Sequence, residues 1–344
     1  MKILIAASGI LAIATACIVH LKQLPEAMLD QALLEDRKRH TYGDLYYMCR
    51  ADHFKAQLPE LTTYDFQNNP DINSKDSRIM IFGDSFFGNS RCGKTIPEII
   101  SDSLNTNIYF IYEVNPLNIL SNKYVKGAAK VLLLEMIERR VQAVFSNTVS
   151  VKKQSAISIA RINSILQGEA KDDYYLYLLK EGRITGSIYS RIMSFKFDAF
   201  GLISDETPVY RTNPDWLFYY QDVKGTSGFY YEYSDSKISI LAENIKKLEQ
   251  SLYNDYNLKL LFLIIPNKYT LYHKFINEDK YNDFIPRLNS ELGKKGVETV
   301  NVYDAFKSSE EILYYPTDTH WNEKGMKIAL KLILEKIRSL EKAM

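Results

Sequence analysis

Five short apolar runs, each bounded by turn residues, recur along the chain. They are Arg78–Phe82, Ile108–Tyr112, Val131–Met136, Lys259–Ile265 and Val297–Tyr303. Their length and composition are typical of strands covered on both faces. Apolar positions recur at three- and four-residue spacing in Lys237–Tyr253 and in Met326–Ile337, and Asn322 is placed to cap the second of these helices. Strands that alternate with helices predict an α/β fold with a doubly wound, mostly parallel sheet flanked by helices.

The N-terminus carries a different hydrophobic pattern. Residues 3–19 form an uninterrupted small and apolar run behind Lys2. Three interpretations remain open: a signal peptide cut at Ala14-Thr15-Ala16, a retained membrane anchor, or a lipoprotein site at Cys17. In each of them the membrane is contacted through residues 3–19, and residues 24–344 lie outside the cytoplasm, in the periplasm or the extracellular space.

The patterns divide the chain into three parts. Residues 1–23 are the signal peptide or membrane anchor, residues 24–76 form an N-terminal helical or stalk segment, and residues 77–344 form the α/β domain. Within this domain, a stretch at about 168–236 is rich in Tyr, Gly, Asp and Ser and has no clean period. It is predicted to be an irregular insertion whose aromatic side chains serve mainly in packing, with a glycan-binding cleft as the alternative.

Charge and cysteine content narrow the function classes. Lys and Arg total 43 against 42 for Asp and Glu, so no global field favours nucleic acid as a partner. Beyond Cys17 the chain has only Cys49 and Cys92. They either form one disulfide, which an oxidising compartment would allow, or remain unpaired. No C-x-x-C pattern is present, and we expect neither a metal site nor a cofactor.

The first candidate for chemistry is Gly83-Asp84-Ser85, directly after the first apolar run. In an open α/β sheet, the edge at which the strands end is where ligands bind. A serine at this strand-to-helix turn has an exposed hydroxyl, and backbone N–H groups of the turn can face a developing oxyanion. Taken alone, such a turn is more often structural.

A second motif, close to the C-terminus, changes this interpretation. His320 lies two residues after Asp318, in an otherwise uncharged turn before the last helix. Side chains at i and i+2 of an extended turn project the same way, so Asp318 can fix the imidazole tautomer that leaves Nε2 free to accept a serine proton. The spacing therefore predicts a triad of Ser85, His320 and Asp318, with no metal involved.

These blocks resemble SGNH hydrolases, which have a flavodoxin-like fold. The sequence of residues 317–325, T-D-T-H-W-N-E-K-G, resembles the corresponding motif of the alginate O-acetylation branch of that superfamily. Residues 131–140 and 265–272 resemble the same branch. By this resemblance Ser85 is acylated, His320 acts as base and then acid, and Asp318 orients it. The family implies acetyl transfer to, or removal from, an exported polysaccharide, with a multi-spanning membrane acyltransferase as partner.

This chain departs from the family pattern in the order of its motifs, because Ser85 precedes the Asp-x-His block as in ordinary SGNH esterases. The glycine and asparagine oxyanion donors of such esterases have no matching motif here. Gly88, Asn89 and Asn115 are the candidates. Glu135 and Arg139 end a buried strand, and they either pair structurally or support the site.

A competing motif is present at residues 88–95, where G-N-S-R-C-G-K-T matches the phosphate-binding loop of NTPases. Gly83, Asp84, Ser85, Phe86 and Phe87 separate its first glycine from the preceding apolar run, and export would remove the nucleotide supply. We therefore interpret Lys94-Thr95 as the start of a helix.

Together the patterns predict an O-acyltransferase outside the cytoplasm that acetylates a cell-surface or secreted polysaccharide through an acyl-serine. A carbohydrate acetylesterase is the alternative. A non-catalytic glycan-binding or assembly subunit is a third candidate.

Overall fold

A computed structural model describes most of the chain. The described residues are 42–57, 64–68, 76–121, 129–146, 183–204, 207, 209–210, 215–224, 228–275 and 280–342. The predicted signal or anchor at 1–23, and most of the predicted stalk, lie outside these ranges. No helix formed by the described residues is long and apolar enough to cross a membrane.

The strands, in chain order, are β1 (Tyr64–Asp65), β2 (Ile79–Gly83), β3 (Asn89–Ser90), β4 (Ile108–Tyr112), β5 (Val131–Ile137), β6 (Val209–Tyr210), β7 (Trp216–Leu217), β8 (Lys259–Ile265) and β9 (Glu298–Val300). The α-helices are α1 (Asp44–Cys49), α2 (Ser85–Gly88), α3 (Ile96–Leu104), α4 (Pro116–Ser121), α5 (Glu138–Phe145), α6 (Arg183–Phe200), α7 (Tyr220–Lys224), α8 (Asp235–Tyr256), α9 (Lys268–Tyr272), α10 (Phe284–Lys294), α11 (Val302–Lys307) and α12 (Glu323–Lys342). Two 3-10 turns cover Asp52–Gln57 and His273–Phe275.

The centre of the fold is a parallel sheet of five strands in the order β4-β2-β5-β8-β9. Strands β2, β5 and β8 are buried almost throughout, because apolar side chains on both faces are covered. Helices α3, α11 and α12 pack together, as do α5, α8 and α10, and these two groups flank the sheet. The α/β prediction is confirmed.

The strand order reverses at β2. From β2 the chain continues to β4 on one side, and β5 then lies on the other side of β2. In open parallel sheets such a reversal leaves a crevice at the carboxyl ends of the strands. Residues that follow β2 directly, which begin with Asp84 and Ser85, therefore lie at the place where the sheet favours a binding site.

Two predicted elements differ from the structure. The apolar run Val297–Tyr303 is a strand only at Glu298–Val300, because the Asn301 side chain accepts the Asp304 N–H and begins helix α11. The insertion predicted to be irregular contains the 18-residue helix α6. Its apolar positions are diluted by serines and small residues, which hid the helical period.

The described residues fall into two compact units. One contains Arg50–Asp52 together with α6, and within it the Ser190 hydroxyl donates to the Arg50 carbonyl at 2.8 Å. The other contains the sheet and residues 42–49, so α1 lies in the same compact unit as the sheet. Every candidate catalytic residue is in this second unit.

Candidate active site

Ser85 is the first residue of α2, and Asp84 holds its turn. The Asp84 Oδ1 accepts the N–H of Phe86 at 3.0 Å. The Asp84 backbone carbonyl accepts the N–H groups of Phe87 at 3.1 Å and Gly88 at 2.9 Å. Asp84 is thus both side-chain cap and first carbonyl of the helix. The Ser85 side chain is fixed at the carboxyl end of β2 and stays partly accessible.

Glu135 supports this turn from the neighbouring strand. Its Oε2 accepts the Asp84 N–H at 2.8 Å, and a Cβ added to Gly83 would lie 2.6 Å from the same oxygen. A side chain at position 83 would therefore displace the Glu135 carboxyl from the Asp84 N–H. Burial, with a further contribution from Asp84, raises the pKa of Glu135 well above its usual range. Glu135 is therefore more easily protonated than an exposed carboxyl group, and it holds the turn that carries Ser85 through the Asp84 N–H.

Ser85, His320 and Asp318 form one hydrogen-bonded chain. The Ser85 Oγ lies 2.8 Å from Nε2 of His320, although 235 positions separate them in sequence. The other ring nitrogen, Nδ1, lies 2.6 Å from Oδ1 of Asp318, which also accepts the His320 backbone N–H at 2.8 Å. Because Asp318 accepts at Nδ1, Nε2 is left as the proton acceptor that faces the serine.

The second oxygen of Asp318 is held by two donors that the sequence did not reveal. Its Oδ2 is 2.8 Å from the Arg91 guanidinium and accepts the Asp44 backbone N–H at 3.0 Å. Burial alone would raise the pKa of Asp318, but Arg91 and His320 outweigh it and hold that pKa well below its usual range. The acid is therefore charged whenever the site is folded at neutral pH.

Side chains on two other elements, α1 and α9, fix the loop that carries Asp318 and His320. The Asp44 carboxylate accepts the Thr319 N–H at 2.7 Å and also accepts the Thr319 hydroxyl. The Lys268 ammonium donates to the carbonyls of Leu217 at 2.8 Å, Pro316 at 2.6 Å and Asp318 at 3.3 Å. Burial lowers the pKa of Lys268 to about 7.

The imidazole is also positioned by ring packing. The Phe86 ring lies 4.5 Å from the His320 ring and 5.1 Å from the Trp321 ring, measured between centroids. Phe86 and Trp321 are both buried. Phe86, which follows Ser85, therefore packs against Trp321, which follows His320. This contact joins α2 to the Asp-x-His loop.

The predicted oxyanion donors are engaged elsewhere. The Gly88 N–H is donated to Asp84, as described above, and the Asn89 amide donates to Asp65 Oδ1 at 2.7 Å in the pairing of β1 with β3. The Asn115 N–H is donated to the Glu113 carboxylate at 2.7 Å, and this residue is exposed beyond the end of β4. Their proposed role receives no support from these contacts.

Glu135 and Arg139 do not pair with each other. Whereas Glu135 contacts the Asp84 turn, the Arg139 guanidinium is 3.1 Å from Asp222 Oδ1 and stacks over the Tyr219 ring. The pairing alternative is therefore wrong, because the strand ends between them and the chain turns into α5. Glu135 contacts the turn that carries Ser85, and Arg139 forms a separate, largely buried ion pair with Asp222.

The phosphate-loop-like segment has a different use. Thr95 caps α3 through a capping box with Glu98, and Lys94 pairs with Asp102 on the surface. This confirms the helix start predicted at Lys94-Thr95. Arg91 occupies one of the four positions between the two glycines of this segment, and its guanidinium contacts Asp318. Cys92, from the same loop, contacts the Tyr315 hydroxyl at 3.5 Å, and both it and Cys49 are free, so the disulfide alternative is not formed.

One side-chain cluster within the described residues has the composition of a metal site. The ligand atoms of Asp44, Asp318 and His320 lie within 4.8 Å of one another. Their oxygens already accept N–H and O–H donors, and Arg91 places a positive charge against Asp318. A cation here would have to displace these donors and overcome that charge, so the cluster is better suited to orienting an imidazole.

A hydroxyl, an imidazole and a carboxylate in series, at the carboxyl edge of a parallel α/β sheet, define the arrangement of serine hydrolases and acyltransferases. Residues 209–343 match the family described as SGNH hydrolase-like domain, acetyltransferase AlgX. This match confirms the resemblance that the motifs predicted. It includes Asp318, His320 and Lys268, whereas Ser85 precedes the matched residues. No curated protein matches the chain significantly.

Proposed function

We propose that this protein is an O-acyltransferase that acetylates a cell-surface or secreted polysaccharide outside the cytoplasm through an acyl-Ser85 intermediate. The observation that carries the proposal is the 2.8 Å contact between Ser85 Oγ and His320 Nε2, with Asp318 behind the imidazole. The match to an acetyltransferase-related family over residues 209–343 supports the choice of acyl group.

In the proposed first step, Ser85 Oγ attacks the carbonyl carbon of the donor ester while its proton moves to His320 Nε2. The tetrahedral intermediate collapses, the bond to the leaving alcohol breaks, and His320 returns the proton to that alcohol. In the second step a sugar hydroxyl gives its proton to His320 and attacks the acyl-serine. Ser85 then regains its proton, and the acetylated sugar leaves. Asp318 stays ionised and stabilises the imidazolium in both steps.

The acetyl group outside the cytoplasm requires a donor that is delivered across the membrane, so a multi-spanning membrane acyltransferase is the proposed partner. The polysaccharide is the proposed acceptor. Both follow from the family resemblance and from the apolar run at residues 3–19.

Acetylesterase activity is the second candidate, and the partial exposure of Ser85 favours it, because water can reach the same acyl-serine. Transfer and hydrolysis differ only in the acceptor of the second step. A donor ester incubated with a glycan oligosaccharide separates them: acetylated oligosaccharide indicates transfer, and free acetate alone indicates hydrolysis.

The catalytic proposal is tested with 4-nitrophenyl acetate as donor. Ser85→Ala and His320→Ala should each abolish turnover, and the double variant should be no worse, because residues that act as one unit are not additive. Asp318→Ala should retain more activity, since nucleophile and base remain. Lys94→Ala, which removes a surface ion pair with Asp102 on the segment between α2 and α3, is the matched control. Full turnover in Ser85→Ala would refute the acyl-serine and favour a non-catalytic glycan-binding role.

A further inference from the structure

The turn that follows Ser85 has no spare N–H donors for an oxyanion. The N–H groups of Phe86, Phe87 and Gly88 are donated to Asp84, and the N–H of Asn89 is donated to the Ser85 carbonyl. Within this turn only the Ser85 N–H remains, at the first helical position, where no intrahelical acceptor exists. Two donors are usual in a site that stabilises a tetrahedral intermediate, so a second one has to come from another element.

Strand β4 supplies a candidate. Tyr112, the last residue of β4, pairs in register with Gly83 and thus ends beside the Asp84-Ser85 turn. Its ring lies against α2, since a Cβ added to Gly88 would be 3.2 Å from Tyr112 Cδ2. The Phe110 ring, at 6.4 Å between centroids and nearly perpendicular, supports it on the strand side.

The hydroxyl of Tyr112 lies near the Ser85 side chain. Partial burial and the nearby Asp84 raise the pKa of Tyr112, and the interaction of its hydroxyl with the Ser85 side chain opposes that rise. The phenol is therefore protonated at neutral pH and able to donate. Because Ser85 Oγ gives its own proton to His320, it can only accept from Tyr112.

We propose that the Tyr112 hydroxyl is the second oxyanion donor and acts together with the Ser85 N–H. This inference rests on the proposed acyl-serine chemistry. As Ser85 Oγ bonds to the carbonyl carbon, the carbonyl oxygen takes up negative charge next to the position that Oγ held, and the Tyr112 O–H turns to that oxygen. Tyr112 thereby takes the part that the sequence assigned to Gly88, Asn89 or Asn115.

The test uses Tyr112→Phe, which removes one oxygen from a side chain that is 62 % exposed. Tyr253→Phe, on α8 and 54 % exposed, is the matched control. With 4-nitrophenyl acetate, kcat of Tyr112→Phe should fall about 100- to 1000-fold with KM changed by less than about threefold. A merely structural tyrosine would change KM or the melting temperature and leave kcat near that of the control.

A second measurement separates the failure of this inference from that of the proposed function. Diethyl 4-nitrophenyl phosphate phosphorylates an activated serine and releases one 4-nitrophenolate for each reacting site. The burst amplitude counts folded sites and the burst rate reports the chemical step, so poor folding lowers only the amplitude. We expect wild type to be labelled at Ser85 and the burst rate of Tyr112→Phe to fall about 100-fold or more.

Equal burst rates in wild type and Tyr112→Phe would overturn the role of Tyr112 and leave the acyl-serine intact. No phosphorylation of Ser85 in wild type would instead remove the proposed function, and this inference with it.

Discussion

At the scale of single residues, the two oxygens of Asp318 have different partners. Oδ1 orients His320, whereas Oδ2 is bound by Arg91 and by the Asp44 backbone. The carboxylate is fully buried, so its charge is tolerated only because these donors surround it. Orientation of the base and stability of the fold are thus linked through one side chain.

Replacing Arg91 with methionine tests this link. Because it leaves the buried Asp318 charge unpaired, Arg91→Met should lower the free energy of unfolding at pH 7 by about 3–5 kcal/mol. In wild type the pKa of Asp318 is lower when folded than when unfolded, so its stabilisation is present above the unfolded pKa of about 3.9 and is lost as pH falls through the folded value.

Denaturant unfolding of both proteins between pH 7 and pH 3 measures the effect. The difference in the free energy of unfolding between wild type and Arg91→Met should be constant down to about pH 4 and become smaller below it. Arg287→Met, which breaks an exposed pair with Asp235, is the control and should behave like wild type. A difference that stays unchanged down to pH 3 would show that Arg91 acts through packing alone.

At the scale of elements, the start of α5 is joined to the β8–α9 connection by one buried acid. Glu138 accepts the Asn267 N–H at 2.9 Å and the Thr270 hydroxyl at 2.7 Å through Oε2, and the Tyr281 hydroxyl through Oε1. Burial raises the pKa of Glu138 from 4.5 to about 7, and these three hydrogen bonds oppose the rise. The same connection carries Lys268, which holds the Asp318 loop.

Glu138 should make the stability of the protein depend on pH. A carboxyl group whose folded pKa is raised binds more protons in the folded state, so stability falls as pH rises from about 4.5 to about 7 and levels off above, by about 3 kcal/mol in total. Glu138→Gln resembles the protonated form and should flatten this part of the profile. Thermal unfolding at pH 5 and pH 8 tests it, and an unchanged slope in the variant would contradict the assignment.

The sequence predicted the elements that depend on local pattern. Four of the five apolar runs became strands of the sheet at nearly their predicted bounds, and Asn322 caps α12 by accepting the N–H groups of Lys324 and Gly325. Ser85, Asp318 and His320 could be named as candidates from the sequence because each stands in a short, distinctive motif. In contrast, Asp44 lies 274 positions from Asp318 and follows no motif, so only the folded chain brings it to the site.

Tyr112 was missed for a different reason. As the last residue of an apolar strand, Tyr112 is expected to be a core residue. Its proposed role depends on the register of β4 with β2, which the periodicity of the sequence does not specify. Arg91 was not predicted because it lies at an unspecified position of a segment that resembles a phosphate loop. That pattern specifies only the two glycines, the lysine and the threonine.

At the scale of the whole molecule, the prediction to be tested is export through the apolar run at residues 3–19. We expect alkaline phosphatase fused after Met344 to be active, because this reporter folds only outside the cytoplasm. The same fusion lacking residues 3–19 is the matched control and should be inactive. Activity in both, or in neither, would contradict export through this segment.

The separation of Ser85 from His320 in sequence has a consequence for synthesis. His320 follows Ser85 by 235 positions, so a nascent polypeptide that has reached only Ser85 lacks the imidazole that faces it in the folded protein. Under the proposed chemistry such a polypeptide cannot acylate itself. The reactive centre forms only after the Asp-x-His loop has been synthesised and has folded against α2.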